Sequence, residues 1–169
     1  MNWKSKISSS SFLVLLLMLV GGCGYSPRPL LGTGLRSIAI DNLENETYEH
    51  SLGVSVTKAV RDEFIFDGTL KVVGDAQADL LLSGAVIGYT FEPLSFSQSD
   101  KAESYRLNIR TKLTLKNTKT EKVVWQDKII EGDARYLLVG SLAVTKAQAQ
   151  DKALQNLARE ILRQTIDIW

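Results

Sequence analysis

Tyr105-Arg106-Leu107-Asn108-Ile109-Arg110-Thr111-Lys112-Leu113-Thr114-Leu115-Lys116 is the most regular alternation in the chain. Tyr105, Leu107, Ile109, Leu113 and Leu115 point one way; Arg106, Asn108, Arg110, Lys112, Thr114 and Lys116 point the other. A period of two with one apolar set describes a β-strand buried on a single face. A polar turn at 117–121 leads to an expected partner strand over 122–132. Pairing Lys116 with Lys122 sets Leu113 opposite Trp125 and Ile109 opposite Ile129, which makes one face of the hairpin apolar throughout. The same register sets Lys128 opposite Arg110.

The preceding strand, expected over 79–91, is apolar on both faces: Leu81, Ala85, Ile87 and Tyr89 on one, Leu80, Leu82 and Val86 on the other. That composition suits a central strand. Residues 92–101 read as a loop. Before this strand come a short strand at 36–41, a polar loop at 42–47, a helix at 49–66 and a brief strand at 70–73. The helix carries Leu52, Val56, Ala59, Val60, Glu63 and Phe64 at spacings of three and four, with Ser51 as its expected N-cap and Asp67-Gly68 as its stop. A second helix, 143–168, presents Ala147, Leu154, Leu157, Ala158, Ile161, Leu162, Thr165 and Ile168 as its apolar stripe. Two amphipathic helices can cover only one face of a sheet. The expected fold is therefore α+β, two layers, with both helices on one face of a mixed, mostly antiparallel sheet of four to five strands. One face of the central strand then needs another cover.

The N-terminus has the build of a secretory signal. Lys4 and Lys6 precede a Ser run and a short apolar stretch at 12–20, too short for the ~20 residues of a membrane-spanning helix. Val20-Gly21-Gly22-Cys23 follows, small residues before a thiol, resembling the box at which bacterial lipoproteins are cleaved and lipidated. Cys23 is the sole cysteine, so it has no disulfide partner within the chain. Expected boundaries are a signal over 1–22, a lipidated start and Pro/Gly-rich tether over 23–34, and one domain over 35–169. Gly24, where an Asp would favour retention in the inner membrane, directs the expectation to a lipid anchor in the outer membrane. With Lys4 and Lys6 removed, the 19 acidic residues slightly outnumber the basic ones, a balance that supplies no global field for nucleic acid.

The sequence offers little catalytic chemistry. One His, His50, in a polar segment and one committed Cys leave a zinc site or a Cys–His pair without parts. Gly32-Thr33-Gly34 lacks the helix and Lys of a phosphate loop, and no carboxylate sits in apolar surroundings. Neither an enzyme nor a cofactor or metal is expected. Two features read as binding candidates. Arg106, Arg110, Lys112 and Lys116, with Lys122 and Lys128 across the hairpin, form a basic face that reads as a platform for a polyanion, phosphate being the natural fit for paired Arg and Lys. Phe91-Glu92-Pro93-Leu94-Ser95-Phe96 is apolar for a connector, and Phe91, Leu94 and Phe96 are candidates for contact with a partner protein.

Several short motifs then resemble the lipopolysaccharide-assembly lipoprotein family. These are Gly22-Cys23-Gly24-Tyr25, the strand at 38–42, Val60-Arg61-Asp62-Glu63-Phe64 with Phe66-Asp67-Gly68, Ala78-Asp79-Leu80 through Gly84, and Tyr105-Arg106. The resemblance implies a domain seated in the large outer-membrane barrel of the lipopolysaccharide translocon, acting as plug and assembly factor and contacting lipopolysaccharide. The first third also looks like periplasmic lipoproteins that assemble secretion pores or activate cell-wall synthases. The long central strand and basic hairpin at 79–132 separate the two readings.

Overall fold

The computed structural model describes residues 34–96, 102–137 and 145–167. The chain divides into a unit of residues 1–30 and a unit of residues 31–169, and the folded domain lies in the second. The expected signal, Cys23 and nearly all of the tether lie outside the described residues.

The elements run β1 (Ser37–Ile40), β2 (Glu44–Asn45), α1 (Leu52–Asp67), β3 (Lys71–Val72), a 3₁₀ turn (Asp75–Gln77), β4 (Leu80–Phe96), β5 (Ala102–Asn117), β6 (Val123–Leu137) and α2 (Lys146–Ile166). One mixed sheet has the order β3-β1-β4-β5-β6, with β2 also beside β4. β1 is parallel to β3 and β4, whereas β4–β5 and β5–β6 are antiparallel. The α+β architecture matches the sequence reading with six strands, because Glu44–Asn45, expected as loop, pairs with Ala85 and Val86.

Both helices contribute to one core. Leu107, Ile109, Leu113 and Leu115 of β5 are fully buried in it, together with Ile38, Leu80, Leu82 and Val86 from the neighbouring strands. From α1 come Leu52, Val56, Val60 and Phe64; from α2, Ala153, Leu157 and Ile161. Burying side chains of this kind is worth roughly 1.5–3 kcal/mol each. Ala147, expected in the α2 stripe, is exposed, and Ala149 and Ala153 take the inward positions of the first turns. Thr145 caps α2 by accepting the Gln148 N–H at 3.2 Å, while the Gln148 side chain accepts the Thr145 N–H at 2.9 Å. Ser51 sits at the N-cap position of α1 in the left-handed region (φ 60) and makes no side-chain capping bond. Gly68 does end that helix, at φ 72, with its N–H on the Phe64 carbonyl.

The expected hairpin register is overturned. Leu115 pairs with Trp125, Lys112 with Ile129, Arg110 with Glu131 and Ile109 with Gly132. Two irregularities, one between Leu113 and Leu115 and one between Leu115 and Lys116, each shift the pairing. At the first, β6 carries an extra residue around Asp127, which takes φ 49 and donates its N–H to Thr114 Oγ1 at 3.3 Å. Asp is one of the few side chains that tolerate this conformation. Gly132 thereby comes under α2, where a Cβ would lie 2.4 Å from Leu157 Cβ and N. No side chain fits there, so Ile109 faces a backbone rather than an apolar neighbour. In β4 a bulge between Val86 and Gly88 takes Tyr89 off the face of Leu81 and Ala85, with which the sequence grouped it, and onto the helix side. There its hydroxyl donates to Gln150 Oε1 at 2.9 Å.

Asp79 joins three parts of the chain. Its carboxylate accepts the N–H groups of Arg36 (2.7 Å) and Ser37 (3.1 Å) and pairs with Lys119 Nζ at 2.5 Å; its own N–H donates to Ser37 Oγ. The Thr118 N–H donates to the Asp79 carbonyl. The start of β1, the start of β4 and the β5–β6 turn are thus held at one point. The Lys119 hydrogen bond, then that from the Arg36 N–H, lowers the Asp79 pKa to about 2. Because the folded value lies below the ordinary one, this stabilisation is present above about pH 4 and is lost as pH falls towards 2. Asp79→Asn is expected to lower unfolding free energy near neutrality by about 1–3 kcal/mol. It should also flatten the acid limb of the stability curve. Denaturant titrations at pH 7 and pH 3 check this: an equal mutational loss at both values would remove the carboxylate from the account.

Candidate functional site on the open sheet face

The face of the sheet turned away from the helices carries alternate residues of β5: Arg106, Asn108, Arg110, Lys112, Thr114 and Lys116. All are half-buried or exposed, while their neighbours Leu107, Ile109, Thr111, Leu113 and Leu115 are buried. The strand period that buries one set displays the other. The corrected register brings residues 129, 131, 133 and 135 of β6 onto the same face.

This changes the composition of the site. Arg110 Nε donates to Glu131 Oε1 at 2.7 Å, and Arg106 Nε lies 3.7 Å from Asp133 Oδ2. Lys116 pairs with Glu121. Hydrogen bonds from Asn108, then Arg110, hold the Glu131 carboxyl below the usual range. Lys112 is exposed and has no ion pair among the described residues. Arg135, which the sequence reading missed by ending β6 at Gly132, sits directly opposite Arg106 on this face. Like charges opposed across strands destabilise a sheet unless an anion joins them. Arg106 Nε is moreover buried without a hydrogen-bond partner.

Two of the expected basic residues are elsewhere. Lys128 pairs with Leu113, so it lies on the helix side; its Nζ bonds Gln164 of α2 and stands 5.5 Å from the Trp125 ring centroid. Lys122 precedes β6, and its carbonyl accepts the Asn117 N–H across the turn. The bulge around Asp127 takes Lys128 off the face of Arg106, Arg110 and Lys112, and the pairing of Lys116 with Val123 leaves Lys122 one place beyond the strand. The open face is a mixed surface with basic excess at Lys112 and at Arg106–Arg135.

The apolar segment at 91–96 is strand, contrary to the expected loop, since β4 continues to Phe96 and pairs there with Ala102. Phe91 packs edge-on against Tyr89 at 5.3 Å, and Lys146 Nζ of α2 lies 5.3 Å from its ring centroid. Phe91 thus belongs partly to the helix layer. Leu94, 39% exposed, falls at an irregularity between Pro93 and Ser95. The open side of the central strand is less bare than its sequence suggests: Ala85 is buried, and Leu81 and Ile87 are half-buried. Larger exposed apolar side chains on the open face are Val123 and Ile129. His50 is exposed, with Nδ1 3.4 Å from the Tyr48 carbonyl. Among the described residues no cluster of His, Cys, Asp or Glu could hold a metal ion.

Comparison with known proteins adds identity to this geometry. Solved structures share the fold at low sequence identity. A protein of Xanthomonas campestris aligns with TM-score 0.57 and 11% identity over 81% of this chain and 90% of its own. A hypothetical protein of Chlamydia trachomatis gives 0.56 and 8% over 79% and 96%. A minor lipoprotein of Acinetobacter baumannii gives 0.52 and 13% over 78% and 93%. No curated protein matches the sequence. The family model described as LptE, lipopolysaccharide-assembly, matches residues 35–167, which is the whole of the folded domain. On that match the chain belongs to the lipopolysaccharide-assembly (LptE) family of non-enzymatic envelope lipoproteins.

Proposed function

We propose that this protein is the outer-membrane lipoprotein of the lipopolysaccharide translocon, anchored through lipid on Cys23 and seated in the barrel protein as its plug and assembly factor. The family match over residues 35–167 carries the reading. The one-sided domain supports it. Three consecutive strands of 17, 16 and 15 residues leave a broad polar face without a helix, and a plug needs such a surface to meet a barrel lumen, which is polar. On this reading lipopolysaccharide contacts the same face through its phosphates. Arg106 opposed to Arg135, and Lys112 beside the Arg110–Glu131 pair, are where a phosphate meets the least competition from carboxylates. Leu94, exposed at the far end of β4, and Phe96, whose side chain lies outside the described residues, are the remaining apolar candidates for barrel contact.

Three outcomes are expected. Cys23→Ser should retain the signal and fail to enter the outer membrane; mass spectrometry showing normal cleavage before residue 23 would refute lipidation. Lys112→Ser with Arg135→Ser should weaken lipopolysaccharide binding and its dependence on salt, while changing stability by under about 0.5 kcal/mol because neither side chain has an ion-pair partner among the described residues. Unchanged affinity would return this face to ordinary solvated surface. Leu94→Asp should leave the melting temperature intact and reduce co-purification of the barrel protein; full recovery would take Leu94 out of the interface.

A further inference from the structure

β6 is the last strand of the sheet. β5 pairs with one of its edges, and among the described residues no strand pairs with the other. One bond fixes where its free backbone groups point. Asn156 Nδ2 on α2 donates to the Asp133 carbonyl at 2.8 Å, so that carbonyl is directed away from β5. The two-residue period gives Ile129 and Glu131 the same outward N–H and C=O. Thr111 Oγ1 of β5, donating to the Ile130 carbonyl at 3.0 Å, marks the alternate set as inward. Beside this edge α2 presents Asn156, Glu160 and Gln164, four residues apart and hence on one flank. Together with residues 128–133 they line a groove of about 370 Å³.

We propose that this groove binds an extended segment of a partner polypeptide, which adds to β6 as an antiparallel strand along the sheet edge beside α2, its N–H groups taking the Ile129 and Glu131 carbonyls while Asn156 keeps that of Asp133. Main-chain hydrogen bonds give such additions their affinity, and alternate side chains give them specificity. On the open-face side the new strand meets Ile129, 49% exposed, and the exposed residues Glu131 and Asp133, whose carboxylates it shares with Arg110 and Arg106. Cross-strand pairing therefore favours an apolar residue opposite Ile129 and basic residues opposite the two acids. On the other side Asn156, Glu160 and Gln164 favour polar residues. Read from its N-terminus, the segment is basic–polar–basic–polar–apolar. A second copy of β6 is a poorer occupant: antiparallel pairing about Glu131 sets that carboxylate against its own counterpart and Asp133 against Ile129. The irregularity at Asp127 confines docking to the strand beyond it. Neither lipopolysaccharide nor the anchor is needed for this contact, so it goes beyond the function proposed above.

The probe is a labelled, end-blocked peptide, Thr-Arg-Thr-Lys-Thr-Val-Thr, titrated into the full chain in detergent and followed by anisotropy. A second peptide is N-methylated at its Lys and Val, which keeps charge and side chains and removes the strand's donors. Saturable binding is expected, about tenfold weaker for the methylated peptide, as the loss of one or two backbone hydrogen bonds requires. Ile129→Pro, which removes an outward N–H only, should weaken the unmodified peptide similarly with an unchanged circular dichroism spectrum. If that variant fails to fold, the two peptides on the unaltered chain still decide. Equal binding of both peptides, or none, overturns the proposal, and so does a dimer by sedimentation that the peptide leaves intact.

Discussion

Leu107, Ile109, Leu113 and Leu115 share β5 with Arg106, Arg110, Lys112 and Lys116, so removing the first set from water obliges the second to face it. Both helices must then lie on the same side. α1 reaches that side from β1, whose Ile40 carbonyl accepts from Arg61 Nε and Nη2, and Leu43 donates its N–H to Thr57 Oγ1. α2 lies against β6 at Gly132 and meets α1 through Arg159 and Glu63, 3.6 Å apart. The open face follows from this constraint rather than from any feature of its own. A sheet with helices on one side only must present a polar surface or find a partner for the other.

The parallel and antiparallel halves of the sheet meet at β4. Its first residues are covered on both edges, by β1 and β2 on one side and β5 on the other. Beyond Val86 only β5 remains among the described residues, and there Pro93 is tolerated because a missing N–H on an open edge breaks no ladder bond. Lys146 reaches from the first turn of α2 to Glu49, at 3.4 Å, and to the rings of Tyr89 and Phe91. Desolvation, with Glu49 nearby, pushes the Tyr89 hydroxyl up to about 12. Its proton is held on Gln150 Oε1.

Much of this is legible in the sequence wherever periodicity carries the information. The alternation of β5, the α1 stripe ending at Gly68 and the α2 stripe from Leu154 to Thr165 each announce a buried side, and with them the two-layer fold. The same rule places Arg106, Arg110, Lys112 and Lys116 on one face. What periodicity does not encode is an inserted residue. Asp127 at φ 49 has the composition of any polar strand residue, yet it moves Lys128 beneath α2 and Ile129 into solvent. Pro93 reads as a breaker because a sequence does not say which edges are open. Arg135 escapes a reading by periodicity because Gly132 resembles a strand end, whereas its lack of a side chain serves the helix above it.

The bulge at Asp127 also sets what kind of change this hairpin can absorb in evolution. Substitutions along β6 act one side chain at a time. Loss of one residue at the bulge, Gln126 or Asp127, would close the ladder and leave Trp125 and Lys128 both on the helix side, whereas the loss of one residue between Lys128 and Gly132 would exchange the sides of everything beyond it. That exchange would turn Glu131 and Asp133 under α2 and put a side chain where only Gly132 fits. Length is therefore held more tightly beyond the bulge than at it.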